Sequence, residues 1–197
     1  MDARLAADIQ ALEDLLDAAE RDARALVEGL TDERGVWREQ PGSWSVAECL
    51  DHLATANRVY LRAMQEAAAR ARAQGRTRRG PALPGLIGGW FIWSLEPPVK
   101  PRFKSKAPQI IRPRPSPALA DAFRQFLAAQ DEVRSFLRTY ADSDLAGVRF
   151  KNPFVKGVRF SLATGLHVIA AHERRHLWQA WRVRRAAEST GRASRLI

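Results

Sequence analysis

Two of the four histidines in this chain, His172 and His176, stand four residues apart in a strongly helical segment. A helix turns about 100° per residue, so both imidazole rings project from one face, about 40° apart around the axis. That face also carries Gly165, Ile169 and Val183, which predicts that the rings point into the core. Two neutral imidazoles satisfy each other poorly as buried polar groups, whereas a cation between them can be coordinated by both.

A third histidine, His52, lies seven residues beyond Ser45, the predicted N-cap of another long helix. Helical bundles build metal sites from side chains on facing helices, so His52 is the candidate third ligand of a divalent ion. His167 is turned about 140° and 180° away from the other two histidines of its helix, and it is left out of the predicted site. The alternative interpretation treats the inward histidines as hydrogen-bonded core residues without a metal.

The segment from His172 to His176, HERRH, also matches the H-E-x-x-H pattern of zinc peptidases, in which the glutamate is a general base. A peptidase needs a third ligand further along the chain. No histidine follows His176, and the one later acid, Glu188, is twelve residues on. The peptidase is therefore a minor alternative. Glu173 is a weak candidate for a catalytic base or for a hydrogen-bond partner of a metal ligand, and it could instead pair with Arg174. No other catalytic residue is assigned.

The excess positive charge lies in one segment. The chain has 32 Lys and Arg against 22 Asp and Glu, a net charge of +10, and residues 70–114 hold 11 of the basic residues and one acid. Such a segment can bind an anionic substrate, nucleic acid or anionic lipid, or can simply be a solvated loop. No nucleic-acid-binding motif accompanies it, so nucleic acid is an unlikely partner. The aromatic run at 90–93, WFIW, suggests a lid, a peripheral membrane contact or a homodimer surface, but no residue decides among them.

Composition predicts one globular domain over residues 1–197 in the cytoplasm. The length suits a single well-buried core, and one cysteine, Cys49, cannot form an internal disulfide. The first residues do not resemble a signal peptide. The longest apolar stretch, 82–95, is 14 residues long and is interrupted by Pro and Gly, whereas a membrane-spanning helix needs about 20 residues.

Four amphipathic segments predict an all-α four-helix bundle. The first has apolar residues at 4-3 spacing from Leu5 to Leu26, followed by Gly29. The second opens with a capping box formed by Ser45 and Glu48 and continues to about residue 73. The third begins at Pro117 after Ser116 as its cap. The fourth runs from about residue 160 to 187, after a loop at 142–159.

A long basic insertion separates the second and third helices at about residues 74–117. It holds 9 of the 11 prolines of the chain. A segment of this length without predicted structure is unusual within a compact domain and is often functional. Its middle, around residues 88–93, is predicted to form a short helix or a flap.

Two segments resemble motifs of the DinB-like superfamily. Residues 44–53, WSVAECLDHL, resemble its helix-2 motif W-S-x-x-E-x-x-x-H-L, and residues 171–179, AHERRHLWQ, resemble its helix-4 motif H-x-x-x-H-x-x-Q. Between them, Pro97-Pro98, the basic stretch to Pro108, and Arg112-Pro113 resemble a subgroup of the family. The resemblance thus spans most of the chain.

The resemblance implies an up-down-down-up four-helix bundle with a histidine triad, here His52, His172 and His176, that binds zinc, nickel or a related divalent ion. Family members that are understood include thiol-dependent transferases and isomerases, which use low-molecular-weight thiols such as bacillithiol or mycothiol. Many other members have no assigned activity. The implied cofactors are a divalent ion and a low-molecular-weight thiol cosubstrate.

The predicted function is therefore a metal-binding, metal-dependent enzyme, a transferase or hydrolase, that acts on a small-molecule substrate, with thiol S-transfer as the leading chemistry. Three protein ligands leave a tetrahedral ion an open position, as in catalytic sites. The alternative is a non-catalytic metal-binding or partner-binding helical protein that uses the basic insertion. Packing or capping roles are predicted for Trp44, Glu48, Cys49, Trp178 and Gln179.

Overall fold

The computed structural model describes residues 6–98 and 107–193 of the chain. It is mostly helical, as the all-α prediction requires. In chain order the elements are α1 (Ala7–Val27), α2 (Asp32–Gly35), α3 (Val46–Ala73), α4 (Leu86–Leu95), a 3-10 turn (Gln109–Ile111), α5 (Leu119–Thr139), β1 (Arg149–Lys151), β2 (Arg159–Ser161) and α6 (Leu162–Ala193). Among the helices of these ranges, none is both long and apolar enough to cross a bilayer.

The apolar stripe predicted for the first helix is buried along α1. Its buried apolar side chains recur every three or four residues and are Ile9, Leu12, Leu16, Ala19, Ala23 and Leu26. A stripe of this kind packs one helix face against its neighbours, and α1 lies against α5 and α6. Gly29 follows the helix with φ of 66°, a left-handed conformation that glycine adopts without strain.

The predicted capping box at the start of α3 is confirmed. Ser45 Oγ accepts a hydrogen bond from the backbone N–H of Glu48 at 3.2 Å, and the Glu48 carboxylate accepts one from the N–H of Ser45 at 3.0 Å. Arg38 donates two further hydrogen bonds to this carboxylate, at 2.5 and 2.9 Å. Ser45, Val46 and Ala47 have no surface exposed to solvent, so this end of α3 lies in the core.

The last two long helices begin later than the sequence predicts. Pro117 is buried, and α5 begins at Leu119 with Ala118 in the N-cap position. Ser116 has φ of 45°, which is not the extended geometry of a capping residue. α6 begins at Leu162 and continues to Ala193, six residues beyond its predicted end.

A short β-hairpin occupies part of the segment predicted as a loop. β1 and β2 pair antiparallel, with Phe150 opposite Phe160, and both phenyl rings are buried. Burial of this cross-strand pair stabilises strands of only three residues each. The hairpin ends at Ser161, whose Oγ accepts a hydrogen bond from the N–H of Thr164 at 3.0 Å and so caps α6.

In the described parts of the segment between α3 and α5, at 74–98 and 107–118, the one α-helix is α4, which packs on α6. A Cβ atom added to Gly88 would lie 2.6 Å from Thr164 Cγ2, so the close approach of the two helices requires glycine. The opposite face of α4 is open, with Leu86 96% and Ile87 76% exposed. Outside the described residues lie Lys100, Arg102, Lys104 and Lys106.

Candidate metal centre

The structure brings together the three histidines that the sequence predicts as ligands. His52 comes from α3, and His172 and His176 come from successive turns of α6. One ring nitrogen from each can be chosen so that the three atoms lie within 4.8 Å of one another. His167 has a different neighbour: its Nε2 lies 3.2 Å from the carbonyl oxygen of Ala82, just before α4. The expectation that His167 stands apart from the cluster therefore agrees with the geometry.

Hydrogen bonds at the far side of two rings fix the direction of their lone pairs. His52 Nδ1 lies 2.5 Å from the carbonyl oxygen of Ile111, which can only accept, so the hydrogen is on Nδ1. His176 Nδ1 lies 3.1 Å from Gln179 Oε1 and donates to it in the same way. In both neutral rings Nε2 is then left with a lone pair. Carbonyl and amide partners of this kind orient histidine ligands in metal sites.

Burial keeps the cluster neutral. It lowers the pKa of His52 to about 4, and it lowers the pKa values of His172 and His176 well below the usual range. The positive charge of Arg175 acts in the same direction on all three rings. The neutral imidazole is the form that binds a metal, so the site does not need to lose protons near pH 7.

The spacing of the nitrogens fits a tetrahedral ion. His52 Nε2 and His172 Nε2 are 3.3 Å apart. Two nitrogens that each lie about 2.0–2.1 Å from a tetrahedral zinc are separated by roughly 3.4 Å. When His172 is protonated on Nδ1, both Nε2 atoms present lone pairs that a cation between them can accept; in its other tautomer, His172 Nε2–H donates a hydrogen bond to His52 Nε2. The donor set therefore suits a divalent transition-metal ion.

An ion pair behind the cluster holds the segment that supplies Ile111. The buried carboxylate of Asp51, the residue before His52, accepts hydrogen bonds from the Arg114 side chain at 2.5 and 2.8 Å and from its backbone N–H at 2.8 Å. Arg114 also reaches Asp121 on α5 at 2.9 Å. These contacts fasten the chain just after the 3-10 turn to α3. The position of the Ile111 carbonyl, and with it the orientation of His52, depends on that attachment.

Glu173 is not part of the wall around the histidines. Its fully buried carboxylate accepts hydrogen bonds from Asn57 Nδ2 on α3 at 2.7 Å and from Gln130 Nε2 on α5 at 3.0 Å. Burial raises its pKa to about 7, although the two amide donors oppose this shift. Arg174, the alternative partner, pairs with Glu96 at the end of α4. The geometry thus makes Glu173 a polar link among three helices.

A cavity of about 1050 Å³ opens onto the three histidines. Its walls include Trp44 and Trp178, which the sequence interpretation assigns to the core. The Trp44 ring centre lies 4.6 Å from that of His52 and 5.6 Å from that of His176. A space of this size accepts a small-molecule ligand. Cys49, in contrast, is a fully buried core thiol, and it is absent from the cluster of ligand atoms found among the described residues.

Arginine side chains give the cavity wall a positive charge. Within the part of the chain that the structure describes, the lining arginines are Arg38, Arg112, Arg175 and Arg182, and the lining acids are Glu39 and Glu48. The Glu48 carboxylate is already paired with Arg38 at 2.5 Å. A cavity of this charge favours an anionic ligand over a cationic one.

Sequence reasoning misses two of the groups that position the histidines. Gln179 is interpreted as a packing residue, although its place at the end of the H-x-x-x-H-x-x-Q pattern, three residues after His176, is the signal that could identify it. The Ile111 carbonyl has no sequence signal, because any residue type offers a backbone oxygen. It reaches His52 from 59 residues away along the chain.

Comparison with known proteins agrees with the two motifs. The family model of the DinB superfamily matches residues 15–180, a range that contains both motifs and all three clustered histidines. No curated protein and no solved structure matches the chain. Because the family match covers most of its length, the protein belongs to the DinB superfamily.

Proposed function

We propose that this DinB-superfamily protein is a metal-dependent enzyme that acts on a small molecule, with thiol S-transfer as its chemistry. His52, His172 and His176 would hold one divalent ion, zinc or nickel, and leave a position open toward the cavity. The observation that supports the proposal is the convergence of three neutral imidazoles, with one nitrogen of each within 4.8 Å of the others, at the wall of a cavity of about 1050 Å³. A bound divalent ion supplies Lewis-acid chemistry, which lowers the pKa of a thiol or water.

The residues of the chain itself bind and orient. Ile111 and Gln179 hold the Nδ1 protons of His52 and His176, so that the Nε2 lone pairs face inward. Trp44 covers two of the rings and excludes water from one side of the cluster. The volume of the cavity leaves room for a thiol cosubstrate beside an acceptor molecule.

Other elements of the proposal concern architecture and location. The four long helices would form the up-down-down-up bundle of the family within one domain over residues 1–197, with residues 74–117 inserted between α3 and α5. Packing of α3 and of α1 against both α5 and α6 supports this arrangement. A cytoplasmic location suits Cys49, because thiols stay reduced there. A homodimer or a peripheral membrane contact stays a prediction.

The geometry gives no support to the peptidase alternative. A zinc peptidase needs its glutamate in the cavity, beside the ligand histidines. The Glu173 carboxylate instead accepts hydrogen bonds from Asn57 and Gln130, on α3 and α5, and has no surface exposed to solvent.

The thiol chemistry is testable with cobalt as a spectroscopic substitute for zinc. We expect Co²⁺-loaded protein to show the visible bands of a tetrahedral ion, and 2-mercaptoethanol to add a near-ultraviolet thiolate-to-metal charge-transfer band. Ethylene glycol, which has a hydroxyl in place of the thiol, is the matched control and should add no such band. Tetrahedral bands that do not respond to millimolar thiol would leave a metal-binding protein and argue against S-transfer.

Substitution of Arg114 by alanine should weaken metal binding about 10–100-fold, the usual effect of losing the support behind a ligand. The change frees the segment that carries the Ile111 carbonyl, so His52 loses its fixed orientation. The free energy of unfolding should fall by about 1–3 kcal/mol, because the buried Asp51 carboxylate loses its charged partner but keeps the backbone N–H of residue 114.

Arg124→Ala is the control for this experiment, because Arg124 also pairs with Asp121 but has no contact with Asp51 among the described residues. Metal titration by calorimetry compares the two variants with the parent. Equal affinities in all three proteins would show that the ion pair does not position His52.

A further inference from the structure

The charge balance around the histidine cluster indicates which ligands the cavity accepts. Arg175 lies on α6 between His172 and His176, is half-buried and lines the cavity. The rings of His52, His172 and His176 line the same cavity. A divalent ion on the same rings would raise the local charge to about +3 in a half-buried site, which is unfavourable unless an anion accompanies it.

A second arginine continues this surface along the helix. Arg182 lies seven residues after Arg175, so it is on the same face of α6, about 10.5 Å further along the axis. It lines the same cavity, and its guanidinium carbon lies 5.1 Å from the ring centre of Trp178. Stacking on an indole orients a guanidinium and leaves its edge available for hydrogen bonds.

Among the described residues that line the cavity, arginines outnumber acids by four to two. Glu48 is hydrogen-bonded to both Arg38 and the backbone of Ser45. Glu39 is the other lining acid, and it lies with Arg38 on the segment before α3. Two of the four described lining arginines, Arg175 and Arg182, lie on α6, the helix that carries His172 and His176.

We propose that Arg175, with Arg182 behind it, forms an anion-binding subsite, and that the substrate is a small molecule carrying a carboxylate or phosphate group whose reactive end lies at the histidine cluster. The inference rests on the proposed function, which places the reactive end of the substrate at the histidine cluster. The anion subsite adds where the charged group of the substrate binds. Guanidinium groups bind both oxyanions through paired hydrogen bonds, which accounts for arginine rather than lysine at these positions.

Two thiols that differ in charge test the subsite on Co²⁺-loaded protein. We expect 3-mercaptopropionate to bind at least about 10-fold more tightly than 2-mercaptoethanol, as a charge-assisted hydrogen bond predicts. Arg175→Gln should weaken 3-mercaptopropionate more than 2-mercaptoethanol, which reaches the metal through its thiolate alone, and should so remove most of this preference. Arg185→Gln is the matched control, since Arg185 is exposed on the same helix and does not line the cavity; it should keep the preference.

The outcomes separate the two proposals. A preference that survives in Arg175→Gln would mean that the carboxylate binds the metal itself, and it would overturn the subsite but not the thiol chemistry. If neither thiol changes the cobalt spectrum, S-transfer fails and the subsite is tested by inorganic phosphate.

Phosphate titration by calorimetry, on protein as purified, should then show binding in the parent and in Arg185→Gln but at least about 10-fold weaker binding in Arg175→Gln. Equal phosphate affinity in all three proteins would overturn the subsite. Arg175→Lys keeps the charge without the paired donors, so its phosphate affinity should lie between those of the parent and the glutamine variant. Far-ultraviolet circular dichroism checks that each variant folds.

Discussion

Glu173→Ala should lower the free energy of unfolding by about 3–5 kcal/mol, measured by urea denaturation, because it removes the centre of a buried hydrogen-bond network. The carboxylate is fully buried and accepts hydrogen bonds from Asn57 and Gln130. Without it both amide donors are left unsatisfied, at about 1–3 kcal/mol each, and a cavity remains among α3, α5 and α6.

Glu173→Gln is the control that retains the shape of the side chain. The oxygen atoms of Asn57 and Gln130 have no hydrogen-bond partner in the described structure, so either amide can turn over to accept from the new glutamine nitrogen. The glutamine variant should therefore stay within about 1 kcal/mol of the parent. An alanine variant as stable as the glutamine variant would show that the network does not hold the helices together.

The difference in stability between the parent and Glu173→Gln should depend on pH, in a direction set by the pKa of Glu173. Burial holds the pKa of Glu173 at about 7, against an ordinary value of 4.5, so between these values the folded state binds more protons than the unfolded state. The stability contributed by Glu173 is therefore greatest below about pH 4.5 and decreases by about 3 kcal/mol as the pH rises through 7.

The free energy of unfolding of Glu173→Gln is subtracted from that of the parent at each pH. The difference isolates the dependence on Glu173, because the buried histidines contribute equally to both proteins. Chelator-treated protein is used, since a divalent ion at the neighbouring residue would itself lower the pKa of Glu173. A difference that stays constant from pH 4.5 to 8 would contradict the buried, proton-binding carboxylate.

Metal loading should raise the thermal unfolding midpoint of the parent by roughly 5–10 °C. A free ion concentration about 100-fold above the Kd stabilises the folded state by about 2.7 kcal/mol, and each kcal/mol moves the midpoint of a chain of this size by about 2–4 °C. His172→Ala should show almost none of this shift, because it removes one of three converging donors. Differential scanning calorimetry with and without chelator measures both. An equal shift in the parent and the variant would place the stabilising ion elsewhere.

Local patterns in the sequence predict much of the fold. The 4-3 apolar spacing of α1 and the Ser45–Glu48 capping box each depend on residues within a few turns of one another, and both are present in the structure. The histidine cluster could also be anticipated, because spacing of four residues places His172 and His176 on one face whatever the tertiary packing. His52 is a candidate because bundles build metal sites from facing helices, and the family resemblance supports it; spacing along the chain alone does not say which helices face each other.

The remaining features depend on contacts distant in sequence. Strands of three residues are too short for a periodic signal, and the hairpin is stabilised by the burial of Phe150 and Phe160 against the helices. The orientation of His52 relies on the backbone of Ile111. Trp44 packs against the core, as predicted, and also lines the cavity, where His52 of α3 and His176 of α6 lie beside it. Tertiary packing decides each of these features.

The most direct measurement is the metal content of the purified parent by elemental analysis, beside His52→Ala, His172→Ala and His176→Ala, with His167→Ala as the control. About one equivalent of zinc or nickel is expected in the parent and in His167→Ala, and close to none in the other three variants. The ligand nitrogens of His52, His172 and His176 lie within 4.8 Å of one another, whereas His167 Nε2 is hydrogen-bonded to the carbonyl oxygen of Ala82. A parent without metal even after reconstitution, or His52→Ala that retains a full equivalent, would contradict the three-histidine site.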